Sequence, residues 1–163
     1  MDQTDKMTRR GLLGGLSLAA LLPSSVLAAD LYANTVWRTM SDAEWRRRLP
    51  RDAYQILRHE DTERPFTSPL LNEHRSGRFV CIGCDLPLFN STAKYDSGTG
   101  WPSFWEAIPG SIGRKPDYAL GVLRTEYHCA RCLGHHGHVF NDGPRPSGLR
   151  YCNNGWALKF VPV

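Results

Sequence analysis

The residues of this chain best suited to chemistry are its five cysteines, and their spacing sorts them into two groups. Cys81/Cys84 and Cys129/Cys132 form two Cys-x-x-Cys pairs, whereas Cys152 stands alone in Arg150-Tyr151-Cys152. A two-residue spacer lets one tight turn present two sulfurs to one ion, and four thiolates at ~2.3 Å complete the tetrahedron zinc prefers. Cys81, Cys84, Cys129 and Cys132 are therefore the candidate ligands of one structural Zn2+ per chain. A full thiolate shell leaves no open position for water or substrate, so metal-centred hydrolysis is not expected. Cys152 then has no partner for an internal disulfide, and is either buried filler or a nucleophile.

The surroundings of Cys152 favour the second option. Arg150 lies two residues away, on the same face if the segment is a strand, and a fixed positive charge favours thiolate over thiol. Upstream, His135-His136-Gly137-His138-Val139-Phe140-Asn141-Asp142-Gly143 offers imidazoles as general acids, with Asp142 available to orient or charge one. Blander roles compete: His128 or His135 as a spare zinc ligand, His138 as a satisfied core residue, Arg150 as a surface ion-pair partner. A third stretch runs from Tyr95 to Trp105. Gly98 and Gly100 let its backbone turn sharply, and Trp101, Phe104 and Trp105 set large apolar surface beside a polar loop. Aromatic residues in a β domain are more often core than pocket, but this density beside a turn places at least one at a binding surface.

The elements that must position these groups are mainly β. With 163 residues, 41% hydrophobic and 22% charged, the chain is long and apolar enough for one globular domain with its own core. Ser41-Asp42-Ala43-Glu44 is a capping box that starts a short helix, Pro50 ends it, and Arg51 to His59 supplies a second with Tyr54, Ile56 and Leu57 buried. From residue 77, Gly and Pro punctuate short runs rich in aromatic and branched residues. Strands are expected at Arg78–Cys81, Leu86–Phe89, Ala119–His128, His138–Phe140, Leu149–Cys152 and Ala157–Val161, with an extended N-terminal arm over residues 29–40. Each cysteine pair then sits on a hairpin loop, and a metal would staple two hairpins far apart in sequence, where closure entropy makes a crosslink most useful.

Residues 1–28 are expected to be an export signal. Arg9-Arg10 precedes an uncharged stretch ending in Val26-Leu27-Ala28, a small-x-small cleavage pattern, and the arginine pair points to the twin-arginine route and a periplasmic or otherwise exported protein. An uncleaved membrane anchor over Gly11–Ala29 is the alternative, weakened by Pro23 and the glycines. An oxidising compartment would favour disulfides from the same cysteines. Export of an already folded chain resolves this, because zinc can be loaded beforehand and shield the thiolates. The net charge of +4 is scattered, and Arg46-Arg47-Arg48 reads as a solvated helix face, so no nucleic-acid partner is expected.

Taken together, Cys81-x-x-Cys84, Ser97-Gly98-Thr99-Gly100-Trp101-Pro102-Ser103-Phe104, Cys129-x-x-Cys132, Gly137-His138-Val139-Phe140, Asp142-Gly143-Pro144 and Arg150-Tyr151-Cys152-x-Asn154 resemble, in order and spacing, the B-type peptide-methionine (R)-S-oxide reductases. The resemblance covers residues 40 to 161 and implies two antiparallel β-sheets with short N-terminal helices, a structural tetrathiolate zinc, and reduction of methionine (R)-sulfoxide in oxidised proteins. It implies Cys152 as nucleophile, His138 as proton donor and Trp101 as the wall holding the substrate methyl. His135, Phe140, Asp142, Arg150 and Asn154 match the surrounding shell. A sulfoxide needs those three parts, since its sulfur accepts thiolate attack but its oxygen cannot leave without protons.

The departures bear on the rest of the cycle. Thr99 stands where many relatives carry a resolving cysteine, so a Cys152 sulfenic acid is expected to react with an external thiol, either a small molecule or a thioredoxin-like protein. His136 and Asn153 replace typically apolar residues, and Gly155-Trp156 stands where small polar residues are common. Two other readings compete: a zinc-ribbon binding module with an inert Cys152, and a thiol-disulfide oxidoreductase using one Cys-x-x-Cys pair.

Overall fold

The computed structural model describes residues 31–119 and 121–163. The expected export signal lies outside them. Among the described residues no helix is long and apolar enough to cross a membrane.

Among the described residues three short helices precede the strands: α1 (Val36–Thr39), α2 (Asp42–Arg48) and α3 (Arg51–His59). Nine strands follow: β1 (Gly77–Cys81), β2 (Pro87–Asn90), β3 (Lys94–Tyr95), β4 (Ser103–Phe104), β5 (Ile112–Asp117), β6 (Arg124–Cys129), β7 (His135–Phe140), β8 (Arg150–Asn153) and β9 (Leu158–Pro162). They form a three-stranded sheet, β2-β1-β9, and a six-stranded sheet, β3-β4-β8-β7-β6-β5, and every pairing is antiparallel.

The helices start where the sequence requires. The Ser41 hydroxyl accepts from the Glu44 N–H, and the Glu44 carboxylate accepts from the Ser41 N–H at 2.7 Å, satisfying two donors that a helix N-terminus otherwise leaves free. In α3, Tyr54, Ile56 and Leu57 are buried as the spacing predicts. Leu57 packs between the two cysteine turns, within van der Waals reach of Gly83 and Gly134.

Two expectations fail. Residues 36–39 are helical rather than extended, because Trp37 packs 6.1 Å from Trp45 and Arg38 donates to the Ala130 carbonyl at 2.8 Å, docking the segment on the second cysteine turn. The strand expected over Ala119–His128 is a hairpin instead: β5 and β6 pair from Ile112↔Cys129 to Asp117↔Arg124, and Gly121, at φ +72°, lies in the turn between them. β5 escaped notice because Arg114-Lys115-Pro116-Asp117 has the composition of a loop, and Pro116 is tolerated there only because β5 is an edge strand.

Between the sheets lies an aromatic core. Phe89 stacks on Phe104 at 4.1 Å, Phe79 meets Phe104 edge-on at 4.9 Å, and Tyr127 and Tyr151 close it from β6 and β8. This core aims the reactive residues. β7 and β8 run antiparallel with His138 opposite Cys152, Val139 opposite Tyr151 and Phe140 opposite Arg150. Because successive side chains alternate faces, burying Tyr151 and Val139 sends His138, Phe140, Arg150 and Cys152 to the other side of the sheet.

Candidate functional site

The two Cys-x-x-Cys turns are built alike. In each, the first cysteine ends a strand and its N–H donates to the carbonyl five residues on (Cys81 to Leu86, Cys129 to Gly134, both 2.9 Å). The residue after the second cysteine takes a left-handed backbone, Asp85 at φ 62° and Leu133 at φ 59°, and donates back to the first. All four sulfurs lie within 4.8 Å of one another, with Cys81–Cys132 at 3.6 Å and Cys84–Cys129 at 3.5 Å. A disulfide would need ~2.05 Å. Tetrahedral thiolates ~2.3 Å from one ion would stand about 3.8 Å apart, so the cluster could hold a metal ion. Burial pushes the Cys81 and Cys129 thiols up, a penalty that a cation at the centre would reverse.

Four guanidiniums surround the cluster on backbone carbonyls: Arg48 on Gly83, Arg131 on Cys84, Arg58 on Cys132 and Arg38 on Ala130, at 2.8–3.1 Å. They offset the negative charge of a tetrathiolate around a divalent ion. Arg48 thus has a partner, where the sequence suggested only a solvated face. Neither His128 nor His135 joins the cluster; the His135 Nδ1 stands 3.1 Å from the buried Glu126 carboxylate, and His128 Nδ1 4.0 Å from it.

On the outer face of the large sheet, Cys152 opens into a cleft of about 140 Å³ whose lining includes Trp101, Arg124, His138, Phe140 and Asn154. Cys152 and His138 are direct cross-strand partners, a placement that sets Cβ atoms roughly 5 Å apart. Gly137 permits the close packing: a Cβ there would collide with the Cys152 carbonyl. Burial pushes the Cys152 thiol above its ordinary value, against the pull of Arg150 and a hydrogen bond with Thr99. The expected activation by Arg150 is therefore outweighed. Arg150 is held by Asp142 through two 2.8 Å hydrogen bonds and lies 4.3 Å over the Phe140 ring, so much of its charge is already paired. Thr99 continues into a hydroxyl chain, with Ser97 2.8 Å from Thr99 and 2.7 Å from Ser103.

Asp142 orients no imidazole. Asp117, at the end of β5, does so: its Oδ2 lies 2.7 Å from the His138 Nε2 and 2.5 Å from Arg124. The Ala119 N–H, His138 and Arg124 hold Asp117 well below the usual carboxylate range. Burial lowers the His138 imidazole, with Asp117 opposing. His135 does not line the cleft; it is buried, 5.6 Å from the His138 ring, and faces Glu126, which also binds Lys115 at 2.8 Å. Burial opposes ionisation of Glu126, but His135 and Lys115 outweigh it and hold the carboxyl below its ordinary value.

Trp101 and Asn154 are fixed by a residue the sequence did not single out. Glu63 accepts the Trp101 indole N–H on its carbonyl at 3.1 Å, donates its own N–H to Asn154 Oδ1 at 3.0 Å, and takes the N–H groups of Gly155 and Trp156 on its carboxylate at 2.6 and 3.2 Å. Asn154 also binds the His136 carbonyl at 3.1 Å, so its amide serves to hold the cleft together.

A thiol, an imidazole and an indole thus line one cleft of a two-sheet β protein, with a carboxylate against the imidazole and a separate tetracysteine cluster, an arrangement suited to thiol chemistry. The SelR domain matches residues 49–162. The chain is 52% identical over 124 residues to "Peptide methionine sulfoxide reductase MsrB" of Agrobacterium fabrum, covering 76% of this chain and 92% of that protein. It is 50% identical over 123 residues to the protein of the same name in Thiobacillus denitrificans, covering 75% and 93%. With "Peptide methionine sulfoxide reductase B1, chloroplastic" of Oryza sativa subsp. japonica it shares 48% identity over 122 residues, covering 74% and 57%. The chain belongs to the SelR family.

Proposed function

We propose that the protein reduces methionine (R)-sulfoxide, in oxidised proteins, to methionine. The observation that carries this is the pairing of Cys152 with His138 across β7 and β8 beside the Trp101 wall, with Asp117 behind the imidazole. Relatives at about half identity that bear the reductase name support it. The substrate methyl packs on Trp101. The Cys152 thiol passes its proton toward His138 as its sulfur attacks the sulfoxide sulfur and forms an S–S bond to it, and Asp117 stabilises the imidazolium that forms. That imidazolium protonates the sulfoxide oxygen, the resulting hydroxyl migrates to the Cys152 sulfur as the substrate S–O and the S–S bonds break, methionine leaves, and Cys152 carries the oxygen as a sulfenic acid. The substrate sulfur gains two electrons and Cys152 loses two.

The remaining four cysteines are grouped in the cluster, so the sulfenic acid has no internal resolving thiol among the described residues. A first external thiol condenses with it to give a mixed disulfide and water, and a second releases Cys152. The external reductant is a small thiol or a thioredoxin-like protein. Zn2+ is the ion that fits the tetracysteine cluster, held for structure alone because all four positions belong to protein thiolates. Export by the twin-arginine route rests on Arg9-Arg10 and the apolar run to Ala28. Activity with a dithiol against the separated sulfoxide epimers tests the reading. The R epimer is consumed, the S epimer is not, and Cys152→Ser is inactive with its metal content intact.

A further inference from the structure

Trp156 has no role in the reaction above, yet it is 42% exposed. It borders a second cleft, of about 290 Å³, lined also by Asp52, Ile56, Asp61 and Arg64. Thr62 lines both this cleft and the one over Cys152, so the two adjoin there. Glu63, between them, fixes both walls: its carbonyl holds Trp101 and its carboxylate holds the backbone of Trp156. The lining has an excess of carboxylates. Neither Asp52 nor Asp61 is ion-paired to a basic side chain among the described residues, Asp61 accepting only the Thr62 N–H at 2.8 Å.

An indole face beside unpaired carboxylates is suited to a lysine or arginine side chain, which can lie along the ring while its charge meets the acids. An extended peptide advances about 3.3 Å per residue, so a neighbour of the sulfoxide can enter this cleft while the sulfoxide occupies the first. Resting on the reductase reading, we propose that the Trp156 cleft is a specificity subsite for a basic residue within two positions of the oxidised methionine. It selects polypeptide substrates by sequence and contributes nothing to the chemistry at sulfur.

The test compares kcat/KM for three short peptides carrying methionine (R)-sulfoxide flanked by Lys, Ala or Glu, with N-acetylmethionine (R)-sulfoxide as the minimal substrate. The Lys peptide is expected to exceed the Glu peptide by about tenfold, the product of one exposed cation–π contact and one rim ion pair. Trp156→Ser and Asp52→Asn should each shrink that ratio without altering the minimal-substrate rate, and Asp52→Lys should move the preference toward Glu. Equal rates for the three peptides, or a ratio that survives both substitutions, overturns the subsite while the reductase reading stands. A wild-type protein inert toward N-acetylmethionine (R)-sulfoxide and all three peptides overturns both.

Discussion

Cys152 meets two opposing influences: burial disfavours its thiolate, while Arg150 and Thr99 favour it, and burial prevails. In the proposed mechanism Cys152 therefore rests as a thiol, and its activation comes from His138 once substrate is bound. Alkylation of Cys152 by iodoacetamide in the free protein should accelerate steadily with pH beyond the ordinary cysteine value of 9.0. A rate already at its plateau at pH 7 would show a preformed thiolate and contradict this account. Asp117→Asn should lower kcat about 10²-fold with little change in KM, because the carboxylate acts on the imidazolium rather than on substrate binding. Steady-state kinetics on folded protein decides it, and an unchanged kcat would remove Asp117 from the mechanism. Cys152, His138 and Trp101 were legible in the sequence, since each is a scarce residue type at a telling spacing. Asp117 was not, because it lies 21 residues from its imidazole partner, and only the β5–β6–β7 pairing brings the two together.

At the scale of elements, β7 and β8 also share a buried polar contact. His136 and Asn153, 17 residues apart in the chain, meet at 3.3 Å, and the Tyr127 hydroxyl donates to the same Asn153 oxygen at 2.6 Å. Burial drives the His136 imidazole down to about 3. A histidine freed by unfolding takes up its proton near pH 6.5, so stability is full above that pH and is lost as pH falls from 6.5 toward 3. The loss attributable to this residue is on the order of 4–5 kcal/mol at the acid limit. Urea unfolding at several pH values should show that slope in the wild type and a shallower one in His136→Leu/Asn153→Val; equal slopes would contradict the assignment. Most strands were visible as short apolar runs. β3 and β4, at two residues each, are too short to leave a pattern, and β5 is disguised by its charges and Pro116.

For the molecule as a whole, the tetracysteine cluster joins the β1–β2 turn of one sheet to the β6–β7 turn of the other, with Leu57 of α3 wedged between. The first turn also reaches the segment after Cys152, since the Ile82 N–H donates to the Ala157 carbonyl at 3.0 Å. Stripping the metal should therefore lower the melting temperature by on the order of 10 °C or more, and an unchanged melting temperature would deny the cluster its structural role. The cluster was legible from spacing alone, whereas its ring of guanidiniums was not, because Arg38, Arg48, Arg58 and Arg131 share no local pattern. The proposed mechanism is a division of labour in which four thiols serve architecture and Cys152 alone takes the oxygen. Its most direct test is a single turnover of metal-loaded protein with methionine (R)-sulfoxide and no reductant, followed by mass spectrometry of the cysteine-containing peptides. The prediction is one methionine released per chain and one oxygen atom gained on Cys152, trapped by dimedone. Release of methionine with an intramolecular disulfide formed from the cluster cysteines would contradict it.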